Sequence, residues 1–228
     1  VEKAPKSYDG PRLVPGEGPV PGVPAEVEYA DYWIRKIPSP DAVILSPEQI
    51  AEFNKNNPKN GDGIFDVLGM PEEIDGASIR TSNAANARYL LDAELFIMEN
   101  IPLEKAERER IVTLMDTARV PDVIRPALGM VLRRVQGKAW PTTVLFTRTP
   151  GDIEFDATVG SALDTGDPVA LLHTSVDGRW VYVQNEMYSC WLPADAVAFG
   201  SIETINEIRD MTNAIVAIGH RVTVYADP

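Results

Sequence analysis

Val169-Ala170-Leu171-Leu172-His173-Thr174, then Ser175-Val176-Asp177-Gly178, then Arg179-Trp180-Val181-Tyr182-Val183-Gln184 decide the fold. Two runs rich in β-branched and aromatic residues flank an Asp-Gly pair. Such a pair tolerates the positive φ of a tight hairpin turn, so the stretch predicts a strand, a turn and a return strand. Downstream, a polar loop leads to Tyr188-Ser189-Cys190-Trp191-Leu192-Pro193, a short turn and Ala196-Val197-Ala198-Phe199. Upstream, Met130, Leu132 and Arg134 alternate with Val131, Arg133 and Val135. Several short strands around one tight hairpin predict a small closed β-barrel over residues 124–200.

Before the barrel, residues 29–123 predict a helical domain. Ser46-Pro47-Glu48-Gln49 is a helix start, with Ser46 as cap, Pro47 at the first helical position and Gln49 completing a capping box. Ile50 and Phe53 then share a face, and the polar stretch Asn54–Gly63 is a loop. A second helix is expected over Ala87–Glu99, with Leu90, Leu91, Leu95 and Met98 on its apolar side. A third follows Pro102, with Ile111, Leu114 and Met115 inward and Glu104, Glu107, Arg108 and Arg110 toward water.

The two ends differ from this middle. Residues 1–28 alternate Pro5, Pro11, Pro15, Pro19, Pro21 and Pro24 with Gly10, Gly16, Gly18 and Gly22, a pattern that supports neither helix nor strand and predicts a tether. A start at Val1 without Met fits removal of an export signal, or equally a cloned start. Residues 201–213 predict a helix capped by Ser201, with Ile202, Ile205, Ile208 and Met211 as its buried stripe. Ala214–Ile218 and Arg221–Tyr225 then flank Gly219-His220 as a further hairpin, which either adds to the preceding barrel or opens a second one. The expected class is therefore α+β.

Composition narrows the chemistry. Charge removes two large classes of partner: 21 Lys+Arg against 34 Asp+Glu leave a net charge of −13, which repels nucleic acid and anionic lipid. No run of about 18 apolar residues is present, so no membrane span is expected. One Cys excludes an internal disulfide and a Cys-based zinc site, and two His leave little for a His metal site, so no cofactor is expected. Gly61-Asp62-Gly63 lacks the third Gly and the preceding strand of a phosphate loop. Glu48 and Glu52 have helical spacing and read as surface.

The residues around these elements resemble a known family. Trp33, Ile44–Ile50 and Phe53-Asn54 look like the N-terminal helical domain of NlpC-type cell-wall cysteine peptidases. Gly166-Asp167-Pro168-Val169, His173-Thr174-Ser175, Asp177–Trp180 and Tyr188–Ala194 are similar to the first bacterial SH3 domain of those enzymes, and Ile215–Pro228 to the opening of their second. Lys138, Trp140-Pro141-Thr142 stands where the family shows Arg-x-Phe-Pro-Thr, and reads as a structural corner. The domains so implied are a tether at 1–28, a helical stabilising domain at 29–123, an SH3-like barrel at 124–200, and a linker helix with the first hairpin of a second, incomplete barrel at 201–228.

The resemblance implies an exported γ-D-glutamyl-L-diamino acid endopeptidase that cuts peptidoglycan stem peptides in the periplasm or cell envelope. Lipid anchoring through a removed N-terminal segment is one way such a protein is held there. The family's nucleophile lies in an Asp-Cys-Ser-Gly-like motif of a papain-like domain, and this sequence contains no such motif. Cys190 stands where the family has Gly, in a strand, and its pattern favours packing over nucleophilic chemistry. The chain is thus expected to be the non-catalytic portion, with the catalytic papain-like domain and the stem peptide as partners. The family recognises the free amine of the substrate's N-terminal L-Ala with a Tyr and a carboxylate at the barrel edge. Tyr188 matches the Tyr; Asp156, with Glu154 second, is the candidate carboxylate. Trp180 and Trp191 read as core, and His173 as a satisfied strand histidine. The competing reading is a free-standing SH3-like module that binds cell-wall or peptide ligands without catalysis.

Overall fold

The structure is a computed structural model that describes residues 21–56, 64–97, 100–152 and 154–212. The chain divides after Asn56 into two units, each described by itself.

The first unit holds helix α1 (Ala30–Ile34) and helix α2 (Pro47–Asn56). The indole N–H of Trp33 donates to the Val27 carbonyl at 2.8 Å, tying α1 to the turn before it. The capping box at α2 forms in both directions. Gln49 N donates to Ser46 Oγ at 3.3 Å, and Ser46 N donates to Gln49 Oε1 at 2.7 Å. The helix runs two residues past the Asn54 at which a loop was expected, and the rest of that loop lies outside the described residues. Ile50 and Phe53 are exposed.

In the second unit, strand β1 (Ile74–Asp75) leads directly into helix α3 (Gly76–Asp92). Asp75 caps the helix by accepting the Ala77 N–H at 2.9 Å. Gly76 is required there because a Cβ would collide with the Pro121 carbonyl. The helix therefore starts well before the expected Ala87. Its buried face, Gly76, Asn83, Ala87 and Leu90, has too few large apolar residues for the early turns to show as a periodic stripe. It also ends before the expected Glu99. Beyond it, strand β2 (Phe96–Ile97) pairs with strand β3 (Ile101–Pro102), and Leu95 lies in extended chain.

Helix α4 (Lys105–Met115) buries Ile111 and Met115 as expected, but it also buries Arg108, which was expected to face water. The Arg108 guanidinium donates to the carbonyls of Leu103 at 2.9 Å and of Leu90 and Ala93 at 2.6 Å each. It thus satisfies carbonyls at the C-terminal end of α3 that no helical turn follows. A charge read as solvated is the clasp between the two helices.

Strand β4 (Val123–Ile124) pairs with β1, so main-chain pairing joins the helical region to the start of the sheet region. The sheet then comprises β5 (Ala127–Val131), β6 (Val135–Lys138), β7 (Val159–Leu163), β8 (Pro168–Thr174), β9 (Trp180–Gln184), β10 (Ser189–Pro193) and β11 (Val197–Phe199). Their order is β11-β5-β8-β9-β10-β6-β7. The β8–β9 hairpin turns at Gly178 with φ +68°, as its Asp-Gly pair predicts. Among the described residues no pairing joins β7 to β11, so the barrel expected to close is open along one seam. Helix α5 (Ile202–Arg209), capped by Ser201, follows and buries Ile205, while Ile208 and Met211 are exposed. The hairpin expected over residues 214–225 lies outside the described residues.

Strand alternation sorts the side chains into two cores. Val181, Val183, Cys190, Leu192, Val131, Leu163, Val169 and Val197 fill the interior of the curled sheet. Trp180, Tyr182, Trp191 and Leu172 point the other way and meet Leu90, Ile111 and Met115 from α3 and α4. Strand β9 is therefore buried along its whole length rather than on alternate residues. Each large aromatic buried here contributes about 2–3 kcal/mol by transfer alone. Trp140 and Phe146 join the outer core from the loop after β6, and the Trp140 indole donates to the Asn86 carbonyl at 3.0 Å.

Candidate functional site

The long loop from 139 to 158 is folded against both layers. Phe96 and Thr147 exchange backbone hydrogen bonds at 2.9 and 2.8 Å, and Ala157 N donates to the Phe146 carbonyl at 2.7 Å. Asp156 closes the loop. Its Oδ1 accepts from Thr158 N at 2.9 Å, Thr158 Oγ1 at 2.7 Å and Phe146 N at 3.3 Å, and its Oδ2 accepts from Lys138 Nζ at 3.1 Å. Burial alone would raise the Asp156 pKa. The Thr158 hydrogen bonds and the Lys138 ammonium outweigh it and hold the carboxyl below its ordinary value. Glu154, two residues earlier, is exposed.

Tyr188 sits at the end of the β9–β10 turn. Asn185 Oδ1 shapes that turn by accepting from Met187 N at 2.7 Å and Tyr188 N at 2.9 Å. The Tyr188 hydroxyl donates to the Ser161 carbonyl at 3.1 Å. Its ring lies so close to Gly160 that a Cβ there would be 2.9 Å from Cε2, and Gly137 likewise leaves room for Tyr188 and Cys190. Burial and the neighbouring Cys190 push the phenol up.

Register shows that Asp156 and Tyr188 do not share a face of the sheet. Trp191 lies opposite Lys138, so their side chains leave on one side, where Lys138 meets Asp156. Tyr188 and Cys190 alternate with Trp191 and occupy the other side, over Gly137. The carboxylates that share a cleft with Tyr188 are instead Asp167 and Glu186, beside Ser161, Ala162 and Met187, in a volume of about 90 Å³. Neither was marked as a candidate, because strand register and loop return are not visible in residue order. The only advance signal was Asp167 in Gly166-Asp167-Pro168.

Cys190 is 1% exposed, and burial pushes its thiol up to about 12. It is a neutral core residue and cannot supply a thiolate near neutral pH. His173 Nε2 lies 3.0 Å from the Met115 carbonyl and its ring meets Trp191 edge-on. Among the described residues, no group of three His, Cys, Asp or Glu side chains could hold a metal ion, and no helix is long and apolar enough to cross a membrane. A cleft of about 640 Å³ lies between α4, the loop at 141–144 and the β8–β9 turn, with Arg110, Asp177, Arg179 and Asp195 on its walls.

Comparison with known proteins places this geometry. Residues 145–193 match the SH3 domain of SH3b1 type, a bacterial SH3 domain that here begins in the long loop and ends with β10. The fold is similar to that of a protein from Photobacterium damselae subsp. piscicida described as a novel NlpC/P60 endopeptidase. The TM-score is 0.58 at 20% identity, over 73% of this chain and 40% of that one. This chain therefore spans well under half the length of that endopeptidase. No curated protein matches.

Proposed function

We propose that this chain is the non-catalytic portion of a peptidoglycan stem-peptide hydrolase, of the γ-D-glutamyl-L-diamino acid endopeptidase kind. It works in the periplasm or cell envelope beside a papain-like catalytic domain. The observation that carries the reading is the fold shared with an endopeptidase of which the match covers 40%, together with the SH3b1-type match. The inert Cys190 supports it, since the thiol that such chemistry needs must come from elsewhere.

In this reading the barrel supplies a wall of the substrate site and Tyr188 meets the free amine of the N-terminal L-Ala. A phenol oxygen and a carboxylate hold an ammonium by charge-assisted hydrogen bonds. The saturated hydrogen bonding of Asp156 assigns it a positioning role: it pins the loop that carries exposed Glu154.

The test is calorimetric titration of L-Ala-γ-D-Glu-diaminopimelate into the chain, beside the same peptide acetylated at its amine. Weak binding that acetylation and Tyr188→Phe both reduce supports the reading. Equal binding of both peptides contradicts it, and favours a module that recognises another part of the wall.

A further inference from the structure

We propose that the open seam of the barrel, along β7, is a docking edge for a short extended peptide carrying a cationic side chain. The inference goes beyond the hydrolase reading because it concerns main-chain pairing along β7; the two readings share only the cleft beside Tyr188.

Strand β7 pairs only with β6, so alternate backbone N–H and C=O groups along it face away from the sheet without a ladder partner among the described residues. Edges of this kind are blunted by charge or proline on the strand, and also by bulges and short length. Val159-Gly160-Ser161-Ala162-Leu163 carries no charge and no proline, and Gly160, Ser161 and Ala162 are exposed with side chains too small to fend off a neighbour. The charges stand just outside the strand, as the Lys138–Asp156 and Arg134–Asp164 pairs. The other edge is different: β11 has three residues and the chain turns at once into α5.

The register shift at Gly137/Lys138 leaves Gly160 as the extra residue on β7, so the regular part of the edge is Ser161–Leu163. The Tyr188 hydroxyl fixes the middle of the strand through the Ser161 carbonyl. Beside the strand lies the cleft of about 90 Å³ that holds Asp167 and Glu186. This is room for a few water-sized groups, hence for the ammonium end of a lysine and not for a whole residue. Asp167 Oδ2 already accepts from Asp164 N at 2.8 Å, while the Glu186 side chain is exposed. The net charge of −13 favours a cationic visitor over an acidic one and over a second copy of the chain. Strand addition gives affinity through the main chain, and the cleft gives choice of side chain.

The probe is acetyl-Thr-Val-Lys-Val-Thr-amide, titrated into the isotope-labelled chain and followed by amide NMR. The expected result is shift changes centred on Gly160–Leu163 and on 185–188. N-methylation of alternate peptide nitrogens should weaken binding at least tenfold. Lysine to norleucine, or Glu186→Gln in the protein, should weaken it several-fold and remove most of its salt dependence. Shift changes elsewhere, no binding at millimolar peptide, or equal binding of the N-methylated probe would overturn the proposal. So would concentration-dependent self-association through the same residues, which would give the edge to a second copy. Loss of stem-peptide binding with this response intact would remove the hydrolase reading alone.

Discussion

Lys138 Nζ lies 3.1 Å from Asp156 Oδ2, in the one ion pair among the described residues whose two side chains are both nearly buried, at 9% and 13% exposure. It joins the end of β6 to the end of the long loop, and Thr158 bonds to both members. Removing one partner strands a buried charge, so Lys138→Met or Asp156→Leu alone should cost about 3–5 kcal/mol. The double variant should cost less than the sum, as urea unfolding would measure. The folded carboxyl titrates below its unfolded value of about 3.9, so its stabilisation is complete above that pH and is lost as pH falls through the folded pKa. Stability of Asp156→Leu should therefore fall less steeply in acid than that of the parent chain. An equal slope would contradict the role given to the pair.

Arg108 ties the end of α3 to α4 through the Leu90 and Ala93 carbonyls, and it also bonds the Leu103 carbonyl just before α4. Arg108→Met should destabilise by about 3 kcal/mol, because those acceptors lose a charged donor where water does not reach. Arg108→Lys should recover only part of this, since one ammonium cannot span what the planar fork spans. Thermal unfolding of the two variants separates the clasp from simple loss of charge.

The hairpin was legible in the sequence because its information is local: the Asp177-Gly178 turn and the residues on both sides lie within one short stretch. The capping box at Ser46 and Gln49 was legible for the same reason. Helix α3 was half hidden because the partner of its first turns is a loop carbonyl at Pro121, which calls for glycine rather than for an apolar residue. Arg108 looked solvated because its acceptors are backbone atoms, which leave no mark on residue type. The site suffered most. Asp156 was the candidate carboxylate, yet which side of the sheet it serves depends on Lys138 facing Trp191, a pairing between residues far apart in the chain.

Asn83 is fully buried on α3, and neither atom of its carboxamide has a hydrogen-bond partner among the described residues. Asn83→Leu keeps the size and removes the desolvated polar group. It should stabilise the chain by about 1–2 kcal/mol in urea unfolding. A loss of similar size would show that the amide is satisfied in solution.

The Cys190 thiol, pushed up to about 12, should resist alkylation by iodoacetamide at pH 8 while the chain is folded, and react at once in denaturant. Cys190→Ala should cost about 1–2 kcal/mol through the gap left by the sulfur in the barrel interior. Rapid labelling of the folded chain would contradict the packing described for it.

The most direct measurement incubates the purified chain with stem peptides and follows the products by mass spectrometry, with Cys190→Ala in parallel. The account predicts no turnover by either protein, and cleavage only when a papain-like catalytic domain is supplied. Turnover by the chain alone that disappears in Cys190→Ala would contradict it.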